Sequence, residues 1–176
     1  MLEFTIQTKR LTLRPFIMED LADFYTYARV PGVGEKAGWP HHKSLEESRS
    51  ILEKFIENKD NLALIDRATN RVIGSLGMHR KDSEIYPSLG YVLSQDYWGK
   101  GLMTEAMLAV LNHLFTIEKW QGIAISHFIE NVRSQRIIEK CGFRFVRRGP
   151  YVSAALNQTF DAYYYELTAE EYLKLG

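Results

Sequence analysis

The sequence predicts a mixed α/β domain. Three features carry that expectation: at 88–115 strand-like alternation gives way, across a glycine-containing turn, to helical spacing; the same change recurs at 122–141; and further strand-like runs stand before and after both units. In chain order, Leu11 and Leu13 lie on an opening strand, and Glu19 and Asp20 begin a helix whose inward face is Leu21, Phe24, Tyr25 and Ala28, ending near Pro31. The stretch 30–43 holds two prolines, three glycines and the adjacent His41 and His42, too much punctuation for a regular element, and reads as a long loop. Ser44 with Glu47 spells a capping box that opens a second helix, with Ile51, Leu52, Phe55 and Ile56 inward. Runs 62–65 and 72–78 read as a hairpin about Thr69 and Asn70. Leu89, Tyr91 and Leu93 then alternate as a central strand, and Gly99 and Gly101 allow a tight turn. From Leu102 to Phe115 the helix buries Leu102, Ala106, Val110 and Leu114, with Met103, Met107, Leu111 and Phe115 beside them, and turns Glu105, Ala109, Asn112 and Thr116 outward. A strand over 122–129, a helix over 131–141, a strand over 143–146, a turn near Asn157 and a strand over 161–167 follow, and Thr168 with Glu171 caps a short last helix.

Composition sets plain limits. With 176 residues, 45% of them hydrophobic, the chain fits one domain spanning 1–176, and no repeat, low-complexity tract or linker divides it. Lys plus Arg and Asp plus Glu number 22 each, so no overall charge draws the chain to nucleic acid or to an anionic membrane, and neither is expected as a partner. Cys141 is the only cysteine, which excludes an internal disulfide and a Cys-based zinc cluster and fits a reducing, cytoplasmic setting. The opening MLEFTIQTKRL lacks the apolar centre of a secretory signal, and no segment approaches the about 20 uninterrupted apolar residues of a membrane helix. The five histidines show no HExxH spacing, and His41 and His42 have no obvious third ligand, so no metal is expected.

The turn at 98–104 carries the chemistry. A helix that begins at glycines points unpaired N–H groups and its positive dipole end back at the turn, where a phosphate or pyrophosphate can be held. The spacing of Gly99, Lys100 and Gly101 does not fit a Walker loop, and Thr104 stands where a dinucleotide fingerprint needs glycine. The remaining reading is an acyl-CoA turn. Here the chain resembles the GNAT acetyltransferase superfamily, in its RimJ/RimL-like branch, along nearly its whole length: TKRLTLRPF with MEDLADFY, the loop VPGVGEKAGWPHHKSLEES, GYVLSQDYWGKGLMTEA, and ENVRSQRIIEKCGF. Trp98 and Met103 depart from the superfamily's looser pattern, the first in a way familiar from that branch. The resemblance implies a GNAT fold: a mixed, mostly antiparallel sheet of about seven strands with a parallel central pair splayed at the cofactor site, about four flanking helices and a short C-terminal helix.

It also implies direct transfer of acetyl from acetyl-CoA to an amine. The pyrophosphate would rest on the N–H groups of Gly99, Lys100, Gly101, Leu102, Met103 and Thr104 beside Trp98, and the pantetheine arm would pair with the backbone of Val92, Leu93 and Ser94. Asn131 and Ser134 fall at the start of the later helix, where by spacing alone they read as a cap and a first-turn hydroxyl. The resemblance makes Asn131 a cofactor contact and Ser134 the proton donor to the leaving thiolate, because Ile138 occupies the position where many GNAT enzymes carry a catalytic Tyr. The base is open: Ser88 stands where relatives commonly carry Glu, so Glu130 is the first candidate, with Glu84, His127 and water as alternatives. Cys141 lacks an activating partner in sequence and reads as a buried helix-end residue. Trp39, His41 and His42, with Tyr91, either wall an acceptor pocket or, for Trp39, pin the loop to the core. The acceptor is an amine, on a protein N-terminus or a small molecule; the resemblance also allows a homodimer. The competing class is a GNAT-fold module that binds acyl-CoA as a sensor or partner domain with little turnover.

Overall fold

The structure is a computed structural model that describes residues 1–80 and 84–176. Among the described residues a single eight-stranded sheet runs in the order β1-β2-β3-β4-β5-β6-β8-β7. The strands are β1 (Ile6–Gln7), β2 (Leu11–Pro15), β3 (Asn61–Asp66), β4 (Arg71–His79), β5 (Ser88–Leu93), β6 (Gly122–Phe128), β7 (Arg144–Ser153) and β8 (Gln158–Thr168). Every neighbouring pair is antiparallel except β5 and β6. Helices α1 (Leu21–Ala28) and α2 (Leu45–Asn58) cover one face, α3 (Leu102–Asn112) and α4 (Val132–Lys140) the other, and α5 (Ala169–Leu175) follows β8.

Alternation along the central strands divides the apolar residues between the two faces. Leu64 and Leu93 pack with Met107, Val110 and Leu111 of α3, whereas Ala63, Ile65 and Val92 pack with Phe24 and Tyr27 of α1 and Leu52 of α2. Strands covered on both sides read as continuous apolar runs, as 62–65 does. Three local expectations shift. Tyr27, not Tyr25, faces the core from α1, and Arg29 lies over the ring of the half-buried Tyr25. Ser44 Oγ accepts from Glu47 N, but the Glu47 carboxylate reaches past Ser44 to the N–H of Lys43, so half of the capping box forms. The last turn of the third helix widens into a π-helical segment, His113–Ile117, that still buries Leu114 and Phe115. The sheet has one strand more than expected, the short β1, and β7 and β8 form a longer hairpin than 143–146 and 161–167; the exposed pattern of the edge strand β7 hid its extent.

Only two residue pairs join β5 to β6, Ser88 with Ala124 and Leu89 with Ile125. Beyond Leu89 the strands part, because β5 leads into the turn before α3 and β6 stays paired with β8 through Phe128. The splayed parallel pair expected from the motifs is therefore present.

Candidate active site

A cavity of about 480 Å³ occupies the gap between the diverging strands. Its first wall is the backbone of β5. Ser94 N donates to Ile73 O on β4, and backbone groups of a strand alternate between its edges, so the N–H and C=O of Tyr91 and Leu93 turn toward the gap. Of the three backbone units expected to pair with a pantetheine arm, Leu93 faces the gap; those of Val92 and Ser94 face β4 by the same alternation, although the Val92 side chain still lines the cavity. The indole N–H of Trp98 donates to the Leu93 carbonyl at 2.8 Å, leaving the Leu93 N–H as the open group there.

The second wall is the turn into α3. Gly99 and Gly101 have φ of +76° and +73°, a left-handed region that costs a residue with a Cβ. Gly101 is the N-cap of α3 and supplies no side chain, so the first N–H groups of the helix remain available to a ligand. The turn is held from behind. Arg10 donates to the Lys100 carbonyl at 2.8 Å and forms a 2.7 Å ion pair with Glu105, whose carboxylate also accepts from Thr8 Oγ1 and Arg10 N. Burial alone would raise the Glu105 pKa, but these hydrogen bonds and the guanidinium hold it below the ordinary value. The Trp98 ring has two cations over it, Arg133 at 4.3 Å from its centroid and Lys36 at 4.9 Å.

The third wall is the turn from β6 into α4. Asn131 Oδ1 accepts from Ser134 N, so Asn131 caps α4, and it also lines the cavity. Ser134 is 7% exposed, and its Oγ lies 2.7 Å from the Tyr91 hydroxyl on β5. The same phenol lies 3.3 Å from the Ser134 carbonyl oxygen, which can only accept. Burial pushes the Tyr91 pKa up, so the phenol keeps its proton across the physiological range. Ile138, at the position where a tyrosine would otherwise serve, is fully buried. The two hydroxyls thus meet across the gap at the level where the strands begin to part.

The family model described as an acetyltransferase (GNAT) domain aligns with residues 10–144. The chain belongs to the GNAT acetyltransferase family. The uncharacterized N-acetyltransferase p20 of Bacillus licheniformis is 26% identical over 174 residues, covering 96% of this chain and 98% of that protein. A GNAT-family acetyltransferase of known crystal structure from Bacillus anthracis has a TM-score of 0.85 at 25% identity, covering 95% of this chain and 99% of that one. The ribosomal-protein-S5-alanine acetyltransferase of Vibrio fischeri shares the fold, with a TM-score of 0.77 at 16% identity over 96% of this chain and 98% of that one. GNAT acetyltransferases use acetyl-CoA as acetyl donor.

Within this GNAT domain the remaining sequence candidates separate. Trp98, Gly99, Gly101, Leu102, Met103 and Thr104 line the cavity; Ser94 and Lys100 do not. Glu130 is exposed on the β6–α4 turn and lies outside the cavity lining. Glu84 borders a separate hollow of about 140 Å³ beside Tyr86 and Glu166. His127 does line the cavity, buried, with both ring nitrogens engaged. Trp39 and His41 do not line it. Trp39 packs onto the α1–α2 core across Gly34, where a Cβ would come within 2.2 Å of its ring. His41 is held by Glu35 at 2.7 Å; burial would raise the Glu35 pKa, but hydrogen bonds from His41 and Gly32 bring it to about 2. His42 is buried against Ser48, 2.6 Å away. The cavity is instead lined by Phe128 and Tyr151, in edge contact at 5.3 Å, with Val33 and Ala37 of the loop. Those aromatics left no sequence signal, since one is at a strand end and the other on an exposed edge strand. A second omission was legible: Arg133, Arg136 and Lys140 recur at helical spacing on α4 and, with Lys36, bring four cations to the cavity rim. No group of His, Cys, Asp and Glu among the described residues is arranged to hold a metal, and no helix among them is long and apolar enough to cross a membrane.

Proposed function

We propose that this protein is an N-acetyltransferase that moves acetyl directly from acetyl-CoA to an amine, on a protein N-terminus or a small molecule. The observation that carries the reading is the parting of β5 and β6 beside a helix N-terminus without a side-chain cap. The α3 N–H groups would hold the pyrophosphate, and Lys36, Arg133, Arg136 and Lys140, which line the same cavity, would match its charge. The pantetheine arm extends along β5, and the Leu93 N–H is placed to hold the thioester oxygen as negative charge grows on it. Attack of the neutral amine on the carbonyl carbon forms the C–N bond, and the C–S bond breaks as the tetrahedral centre collapses. The departing sulfur is met by Ser134 Oγ, whose proton is free to point outward when Tyr91 donates to that Oγ. Phe128 and Tyr151 make the acceptor side apolar and aromatic.

A turnover screen of acetyl-CoA against amines and N-terminal peptides, following release of free thiol, tests the reading. Amine-dependent thiol release supports it. Saturable acetyl-CoA binding with no release for any amine supports the sensing or partner-binding module instead.

A further inference from the structure

We propose that His79 is the general base that takes the proton of the acceptor's ammonium group, an inference that rests on the N-acetyltransferase reading above. No aspartate or glutamate is found among the described residues lining the cavity. Imidazole is the side chain that ordinarily titrates near neutrality, and two imidazoles line the cavity, His79 and His127. His127 is 3% exposed and fully committed: its Nδ1 donates to the Phe128 carbonyl at 2.7 Å, and its Nε2 accepts from the Tyr165 hydroxyl at 3.3 Å. Burial lowers its pKa as well, leaving it a poor proton acceptor.

His79 differs in exposure and in partners. It is exposed at the end of β4, and no hydrogen bond or ion pair holds its ring among the described residues. It stands directly opposite Ser88 in the β4–β5 pair. Its Nε2 and Cδ2 lie 3.9 Å from the point that a Cβ on Gly90 would occupy, so the ring leans along β5 over Gly90. Gly90 is the first residue beyond Leu89 and Ile125, the last pair that joins β5 to β6. The imidazole therefore sits at the level where the cleft opens. It also sits on the proper side. Residues 88, 90 and 92 share the face of β5 that Val92 buries against α1 and α2, while Tyr91 projects from the opposite face to Ser134 on α4. An amine arriving on the first face meets His79, and a thiolate leaving on the second meets the two hydroxyls.

The proton account closes. The ammonium loses two protons on becoming an amide. One passes to His79 Nε2, freeing the lone pair that forms the C–N bond, and from the imidazolium to water. The other leaves nitrogen as the C–S bond breaks and ends on sulfur by way of the Ser134 hydroxyl, giving free thiol. The cations Lys36, Arg133, Arg136 and Lys140 and the ring of His127 are the other charged or imidazole groups that line the same cavity.

The test compares pH profiles of kcat/KM for the wild type, His79→Gln and His79→Glu with one amine that supports thiol release, alongside the acetyl-CoA-induced shift in Tm of each. His79→Gln should lower kcat/KM at neutral pH by at least about a hundred-fold, remove the acidic limb, and approach the wild type at high pH, where the amine arrives neutral. His79→Glu should restore a limb at lower pH, and the Tm shift should survive in all three proteins. A His79→Gln profile superimposable on that of the wild type, or merely scaled down with unchanged shape, would overturn the assignment while leaving the acetyltransferase reading intact. Acetyl-CoA binding without thiol release from any amine in the wild type would overturn both.

Discussion

Two strand–turn–helix units face each other across the cavity and solve the same local problem in opposite ways. The unit β6–α4 caps itself: Asn131 Oδ1 takes the Ser134 N–H, so the helix start is satisfied from within and presents side chains to the cleft. The unit β5–α3 does not. Its N-cap is Gly101, left-handed and without a side chain, and its donors stay open while Arg10 and Glu105 brace the turn from outside. The open helix start is therefore stabilised from behind, whereas the other is stabilised by its own cap. In the β5–α3 unit the open groups are backbone donors; in the β6–α4 unit they are side chains.

The sharpest way to break this contrast is a side chain at the open start. Gly101→Glu introduces a Cβ at φ of +73° and a negative charge beside the α3 donors, and should abolish the Tm shift that acetyl-CoA produces, because a ligand specific for the native state stabilises by mass action. A full shift in the folded variant would remove the turn from the cofactor site. Next in size is the hydroxyl that the capped start presents. Ser134→Ala should lower kcat by up to about a hundred-fold with little change in acetyl-CoA affinity, and Tyr91→Phe should lower it less, since it removes the partner rather than the donor. Equal losses from both, or a loss in affinity alone, would contradict the division of labour.

Smaller effects refine the comparison. Asn131→Ala removes a cap and should cost about 1 kcal/mol of stability, read from denaturant unfolding, whereas the open start has no side-chain cap to lose. The smallest effect concerns the strand that leads into the capped unit. His127 is buried and neutral, with its pKa below the unfolded value, so the unfolded chain binds the extra proton first as pH falls. Its contribution to stability is complete above the unfolded value near 6.5 and is lost as pH drops through the lower folded value. His42 shifts in the same direction through its own burial. His127→Asn should therefore make the decline of Tm between pH 7 and pH 5 shallower without abolishing it, and an unchanged slope would show that His127 titrates alike in both states.

The order of elements, the glycine turn, three helix caps and the family could be read from the chain alone. Each is written in residues a few positions apart: periodicity declares a strand or a helix, Gly99 and Gly101 declare a turn that a Cβ would strain, and Ser44, Asn131 and Thr168 declare helix starts. Even the α4 cations were legible at spacing 133, 136 and 140. Distance in sequence hid the rest. Tyr91 meets Ser134 across 43 positions, Arg10 braces Glu105 across 95, and the Gly38 carbonyl is held by Ser153 across 115. Whether Trp39 pins its loop or walls a pocket depended on what Gly34 leaves open, and Glu130, prominent beside Asn131 in the chain, turned out to face solvent. Local residue chemistry determined which elements form and where their ends lie, because helix, strand and turn preferences act within a few residues. Which edge of β5 is left unpaired, which hydroxyls touch and which imidazole leans over Gly90 were decided only by the sheet, because register and splay are settled by packing among strands far apart in the chain.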